Sequence, residues 1–160
     1  DVSGAGAGKE FNMMKLVMAT QNRGKVTEFR TMLSPFRIEV IPMPAGIDVV
    51  EDGETYQENA TKKAVSVASH CGLFALADDS GIEVEALDGA PGVHSARFLN
   101  CAGDEEKCAK ILELLQGRTQ RNARFAISLV LADPSRVRFD HLAGHPIQGR
   151  DLAPPRLLHP

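Results

Sequence analysis

Short apolar runs alternate with amphipathic stretches along most of this chain. Leu16-Val17-Met18-Ala19 is a continuous apolar run, the pattern of a strand covered on both faces in a parallel sheet. Residues 25–33 follow with Val26, Phe29, Met32 and Leu33 at helical spacing, and Pro35 lies just beyond to stop the helix. Ile38, Val40 and Ile41 predict a second strand, ended by the Pro42-Met43-Pro44-Ala45-Gly46 loop. Thr55 and Glu58 form a capping-box pattern, and Ala60, Ala64, Val67, Ala68 and Cys71 then keep to one stripe of a helix.

Leu73-Phe74-Ala75-Leu76 predicts a third buried strand, running into Ala77-Asp78-Asp79-Ser80-Gly81. This stretch reads as two carboxylates at a strand end followed by a Ser-Gly turn. Residues 82–87 alternate strictly and predict a separate, half-exposed strand, and Gly89-Ala90-Pro91-Gly92-Val93 is a constrained loop. Asp104 is expected to cap a helix with Cys108, Ile111, Leu112 and Leu115 as its core stripe and Gly117 at its end. Residues 123–132 predict a long strand with Phe125, Ile127, Leu129 and Leu131 on one face, turned by Asp133-Pro134. Alternation of strand and helix through most of the chain predicts an α/β fold, a mixed central sheet flanked by helices.

The ends break this pattern. Residues 1–13 hold Gly-Ala-Gly-Ala-Gly without periodicity and are expected to be a flexible leader. Gly8-Lys9 there fails as a phosphate loop, because Ser3 stands where the pattern demands Gly and Glu10 where it demands Ser or Thr. Residues 14–139 form the predicted domain. Residues 140–160 carry Pro146, Pro154, Pro155 and Pro160 and are expected to be an irregular tail, in which Gly144 and Pro146 argue against His141 and His145 acting as a helical metal pair.

Composition narrows the function classes. With 160 residues the chain suffices for one domain with its own core, and 43% hydrophobic against 24% charged residues is ordinary for a globular protein. A net charge of −3 argues against capture of nucleic acid, which needs a basic face, and leaves small phosphorylated ligands with a divalent cation open. Three cysteines, Cys71, Cys101 and Cys108, lack both an even count and metal-ligand spacing, so the expectation is free thiols in the cytoplasm. No apolar run has the length of a membrane span, and no membrane partner is expected.

The polar clusters at strand ends and helix starts are Thr20-Gln21-Asn22-Arg23-Gly24-Lys25, Glu51-Asp52-Gly53 with Glu58-Asn59-Ala60-Thr61-Lys62-Lys63, and Asp78-Asp79-Ser80. Taken singly, each also reads as turn chemistry or a solvated charge: Asp78-Asp79 as a turn start, Lys25 and Lys63 as exposed helix charges, Glu51 as the residue before a turn, Arg97 as a loop brace. Together they converge only if the sheet is an α/β one.

Thr20-x-Asn22-x-x-Lys25-x-x-Glu28, Glu51-Asp52-Gly53-x-Thr55-x-x-Glu58-Asn59-Ala60-x-x-Lys63-Ala64, Ala77-Asp78-Asp79-Ser80-Gly81-Ile82-x-Val84 and Gly89-Ala90-Pro91-Gly92-Val93-x-Ser95-Ala96-Arg97-Phe98 resemble, in this order, the inosine-triphosphate pyrophosphatase family. The resemblance covers roughly residues 14–134. It implies a two-lobed α/β enzyme, usually a homodimer, that uses Mg²⁺ to hydrolyse purine nucleoside triphosphates outside the standard set, such as ITP, dITP and XTP, to monophosphate and pyrophosphate. It assigns Glu51 and Asp79 to the metal, with Asp79 also the general base on the attacking water, and Asp78 as a supporting acid. Thr20, Gln21, Asn22, Arg23, Gly24 and Lys25 would bind the phosphates, where a helix start offers backbone donors and Lys25 a charge. Ser80 would contact the substrate, and Lys63 would assist at the phosphates.

The family pattern continues with a Phe-Gly-Tyr-Asp segment, a Lys and a late Ser-His-Arg that complete the purine pocket, and none of these occurs here. The resemblance therefore implies a phosphate and metal half that is present and a base-reading C-terminal part that is missing or replaced. The alternative expectation is a catalytically impaired remnant that binds nucleotide or only dimerises. A pyrophosphatase of pyrimidine nucleotides fits less well, since its opening loop would carry Ser and paired Arg rather than Thr20-x-Asn22-x-x-Lys25.

Overall fold

A computed structural model describes residues 13–135, 139–143 and 147–149. Strand β1 (Met14–Met18), helix α1 (Arg23–Leu33) and strand β2 (Ile38–Pro42) form one parallel crossover, and helix α2 (Tyr56–Cys71) leads into strand β3 (Phe74–Val84). Helix α3 (Asp104–Leu114) precedes strand β4 (Ala123–Ala132), which turns back antiparallel along all but the first residue of β3. The sheet order is β2-β1-β3-β4, with β1 parallel to both neighbours, so the sheet is mixed as its alternating elements predict.

Why these residues make these elements is local. Asn22 Oδ1 accepts from the amides of Gly24 and Lys25 at 2.9 and 3.4 Å and starts α1 two residues before the apolar stripe would. Thr55 Oγ1 accepts from the Glu58 amide at 3.1 Å, and the Glu58 carboxylate reaches back to the Glu54 amide at 2.7 Å, one residue before the expected capping-box partner. Gly72 ends α2 at φ +63°, the left-handed conformation that glycine reaches without strain. Helix α3 is capped by Gly103 rather than by Asp104, which instead stands in the first turn with Glu105 and Glu106, where negative charge suits the helix dipole.

The two helices that flank β1 cover opposite faces of the sheet. Met18, Val26 and Val40 pack with Phe29, Leu33 and Leu76 beneath α1. On the other face Ala60, Ala64, Val67 and Ala68 of α2 lie on Val17, Ala75, Ala77, Val130 and Ala132. This second core is built from small side chains, so α2 sits close to the sheet, and the face of β4 it covers is the one with Ser128, Val130 and Ala132. The sequence favoured the Phe125, Ile127, Leu129 and Leu131 face; those residues are larger than an alanine-rich helix can admit, and Phe125 is left exposed. A third cluster, Val84, Ile111 and Leu115, closes the far end of the β3–β4 pair beneath α3.

Two further expectations are corrected. Residues 78–81 are not a turn between two strands: β3 continues through them for 11 residues, and residues 85–87 form a short 3-10 turn in place of more strand. Pairing with β4 across Ala75–Val84 gives that edge of the strand a continuous ladder, which outweighs the turn preference of Ser-Gly. Gly81 is there for proximity instead: a Cβ would collide with the Gly92 carbonyl and stand 2.5 Å from Ser95 Oγ and 2.9 Å from the Tyr56 hydroxyl. Gly81→Ala is accordingly expected to lower stability by about 2 kcal/mol in urea denaturation, the cost of forcing a methyl group into a packed interior. Residues from 140 on, expected to be irregular, contribute strands β5 (Phe139–Ala143) and β6 (Ile147–Gly149), both antiparallel to β4. An open edge of β4 offers a row of hydrogen-bonding groups to any neighbouring backbone, whatever its side-chain period. The rest of the expected leader and tail, including His145, lies outside the described residues.

Candidate active site

The chain moves from β1 outward to β2 and then returns past β1 to β3, so the strand order reverses between β1 and β3. Ligands of open α/β sheets bind in the crevice at the carboxyl ends of the strands at such a reversal. Ladder pairing of β1 with β3 ends at Met18 and Leu76, and β3 runs on alone into Asp78 and Asp79. A cleft of about 270 Å³ opens there, lined by Thr20, Gln21, Glu51 and Lys63 on its polar side and by Met43, Ile47 and Val49 on its apolar side.

Strand pleating sends the adjacent carboxylates to opposite faces of the sheet. Asp78, 4% exposed, turns to the α1 face and pairs with Lys25. Asp79 turns to the α2 face, where Lys63 Nζ lies 3.6 Å from its Oδ1 and 2.9 Å from Glu51 Oε1. The structure thus brings Glu51, Asp79 and Lys63 together and keeps Asp78 and Lys25 apart from them. Ser80 shares the face of Asp78 and is half-buried.

Asp79 Oδ2 is buried without a hydrogen-bond partner, and burial is the largest influence that raises its carboxyl above the ordinary aspartate value. Lys63 and Asn59 pull the value down, and the Glu51 charge pushes it up. An ionised carboxylate with an unmet acceptor is a ready ligand for a hard cation, and Glu51 supplies a second oxygen donor. Among the described residues no group of three or more His, Cys, Asp or Glu could hold a metal ion, so the remaining positions would fall to water and phosphate oxygens. Glu51 and Asp79 fit Mg²⁺ on these terms, with Lys63 standing between them as counter-charge.

At the start of α1 the expected phosphate donors are partly engaged. Thr20 Oγ1 accepts from the Asn22 amide at 3.1 Å, and Asn22 takes the amides of Gly24 and Lys25. The amides of Gln21 and Arg23 make no hydrogen bond among the described residues and face the open end of the helix.

Two residues near the site escaped the sequence reading, and a third, Asn59, stood in a polar cluster without a role. Asn59, 2% exposed, accepts the Gly53 amide at 2.8 Å and so ties the Glu51 loop to α2; its place beside the alanine stripe, four residues before Lys63, was the available signal. Ser128 lies directly opposite Asp79 in the β3–β4 ladder, buried and without a hydrogen-bond partner, and nothing in the sequence marks it. Tyr56, the single tyrosine in a chain without tryptophan, has a buried hydroxyl beside Gly81. Burial first, and then the Glu83 charge, push that phenol up to about 12 from 10. A folded pKa above the unfolded one gives stability that is complete below pH 10 and is lost as pH rises toward 12. Absorbance titration of the native chain should therefore place phenolate formation near 12, and Tyr56→Phe should flatten the fall in the urea midpoint across that window; an ordinary midpoint near 10 would remove the buried-hydroxyl account.

A parallel-strand switch point, a helix start with open amides and the Glu51–Asp79 carboxylate pair stand together in one α/β protein. The chain belongs to the Ham1 family, whose model matches residues 16–153 and so extends past residue 134, where the motif resemblance stops. It is 50% identical over 126 residues to a dITP/XTP pyrophosphatase of Exiguobacterium sp., covering 76% of this chain and 64% of that one. A dITP/XTP pyrophosphatase of Synechococcus sp. is 48% identical, with 74% and 57% covered. Among solved structures, a HAM1 protein from Coxiella burnetii superposes with a TM-score of 0.71 at 36% identity, covering 81% of this chain and 68% of its own. The Staphylococcus aureus Ham1 protein gives 0.70 at 33%, with 79% and 67% covered. The chain thus spans less than two thirds of the length of these curated relatives.

Proposed function

We propose that this chain hydrolyses purine nucleoside triphosphates outside the standard set (ITP, dITP, XTP) to the monophosphate and pyrophosphate with Mg²⁺, removing them from the nucleotide pool. The observation that carries this reading is the Glu51–Lys63–Asp79 cluster at the mouth of the switch-point cleft. The dITP/XTP pyrophosphatase activity named for the relatives supplies the substrate class.

Glu51 and Asp79 would hold Mg²⁺, which when bound offsets phosphate charge and lowers the pKa of a coordinated water. Asp79 accepts the proton of the attacking water: the water oxygen bonds to the α-phosphorus as the bond to the bridging oxygen breaks, and pyrophosphate leaves. Burial raises its carboxyl above the ordinary aspartate value, which makes it a stronger proton acceptor than an exposed aspartate. Lys63, freed from the carboxylates, turns its charge to the phosphates, while the open amides of Gln21 and Arg23 and the α1 dipole orient them. Lys25 and Ser80, on the α1 side of β3, would be further substrate contacts in this reading. The enzyme is expected to act as a homodimer in the cytoplasm; no helix among the described residues is long and apolar enough to cross a membrane, and Cys71, Cys101 and Cys108 are free.

The deciding experiment is pyrophosphate release from ITP beside ATP, with and without Mg²⁺, together with sedimentation of the same sample. Mg²⁺-dependent release that prefers ITP supports the reading. No release from a demonstrably folded chain would replace it with the nucleotide-binding or dimerising remnant.

A further inference from the structure

We infer that Arg97, far from the site in sequence, is a positioning residue for the cation, because it fixes the backbone of Glu51; the inference rests on the proposed metal role of Glu51. Residues 47–53 belong to no helix or strand, so no backbone ladder sets where the Glu51 carboxylate stands. Its place depends on tethers. On one side α2 supplies two, the Asn59 side chain on the Gly53 amide at 2.8 Å and Lys63 on the Glu51 carboxylate at 2.9 Å. Sharing Lys63 with phosphate weakens its hold on the Glu51 carboxylate, which leaves Asn59 as the firm tether on that side.

Arg97 is the tether on the other side. Its Nη2 donates to the Glu51 carbonyl at 2.7 Å from the 3-10 segment Gly92–Asn100. That segment is itself pinned to the strand that bears Asp79: the Ile82 amide donates to Ser95 Oγ at 3.1 Å, and Ser95 donates to the Gly92 carbonyl at 2.5 Å. The path Asp79, β3, Ser95, Arg97, Glu51 thus sets the separation of the two carboxylates through rigid strand and short hydrogen bonds. Arg97 is an exposed side chain whose guanidinium goes to a neutral carbonyl, although the Asp52 carboxylate is near enough for its charge to be felt. Asp52 is instead taken by Lys62 at 2.5 Å.

Outer partners of metal ligands typically change metal affinity by about 10- to 100-fold when removed. The test measures Mn²⁺ binding to the full chain by calorimetry without nucleotide, and Mg²⁺ activation of ITP hydrolysis, for wild type, Arg97→Ala and Arg97→Lys, with Arg118→Ala as a control. Arg118 donates to the Ala86 carbonyl at 2.9 Å, away from the site. The expected result is a Mn²⁺ Kd and a half-activating Mg²⁺ concentration raised about tenfold in Arg97→Ala. Arg97→Lys should recover part of the loss, Arg118→Ala should match wild type, and thermal midpoints should stay together. An unchanged Mn²⁺ Kd in Arg97→Ala overturns the inference, as does a defect confined to the nucleotide KM at saturating Mg²⁺, which would make Arg97 a substrate contact. A wild type that neither binds Mn²⁺ nor hydrolyses ITP would instead remove the functional reading beneath it.

Discussion

Asp79→Asn is expected to cut hydrolysis by about three orders of magnitude while the chain remains folded, since positioned proton transfer alone contributes roughly 10²- to 10⁴-fold. The same substitution should raise the urea midpoint at neutral pH. Burial holds the Asp79 carboxyl above its ordinary value, so the native state binds its proton more tightly than the unfolded chain does. The sign follows: stability from this group is complete below the ordinary aspartate value of 3.8 and is lost as pH rises through the folded value, so at neutrality Asp79 weakens the fold. Asparagine removes the charge, and its advantage over wild type should vanish as the medium approaches pH 4. Measuring activity and urea denaturation on the same preparations separates the roles. Wild-type turnover in Asp79→Asn would eliminate Asp79 as the base, and a lower midpoint at pH 7 would contradict the burial argument.

Lys25→Ala is expected to cost about 3 kcal/mol of stability, because it strands the buried Asp78 carboxylate without its partner. This figure is the low end for a broken buried pair, chosen because Lys25 itself is about a third exposed. Adding Asp78→Asn should return at least half of the loss. The pair of variants also divides the two roles assigned to Lys25. If its charge contacts the triphosphate, the KM defect persists in the refolded double variant; a normal KM there would leave Lys25 with a structural role alone.

Most of the architecture was written in periodicity. The apolar run at 16–19, the stripe from Ala60 to Cys71 and the cap at Thr55 all correspond to observed elements, because burial and local hydrogen bonding dictate them over a few residues. What escaped was decided by partners distant in sequence. Ser80-Gly81 has the composition of a turn, yet Gly81 exists for the approach of Gly92, eleven positions on, and β4 holds the strand straight. Asp78 and Asp79 read as one pair because they are adjacent, while the pleat assigns them to different helices. Arg97 was readable only as a loop brace, since the loop it braces lies 46 residues away. Ser128 gave no sign at all, because its interest comes from the ladder register opposite Asp79.

The divergence of Asp78 and Asp79 has a genetic corollary. Each face of the sheet is a separate electrostatic neighbourhood, joined to the other only through one backbone. Second-site revertants of a Lys25 lesion should therefore arise at Asp78 and leave the α2 side untouched, and lesions at Lys63 should be relieved among Glu51 and its tethers. In a saturation library the two complementation groups would sort by strand parity, even residues of β3 with one helix and odd residues with the other.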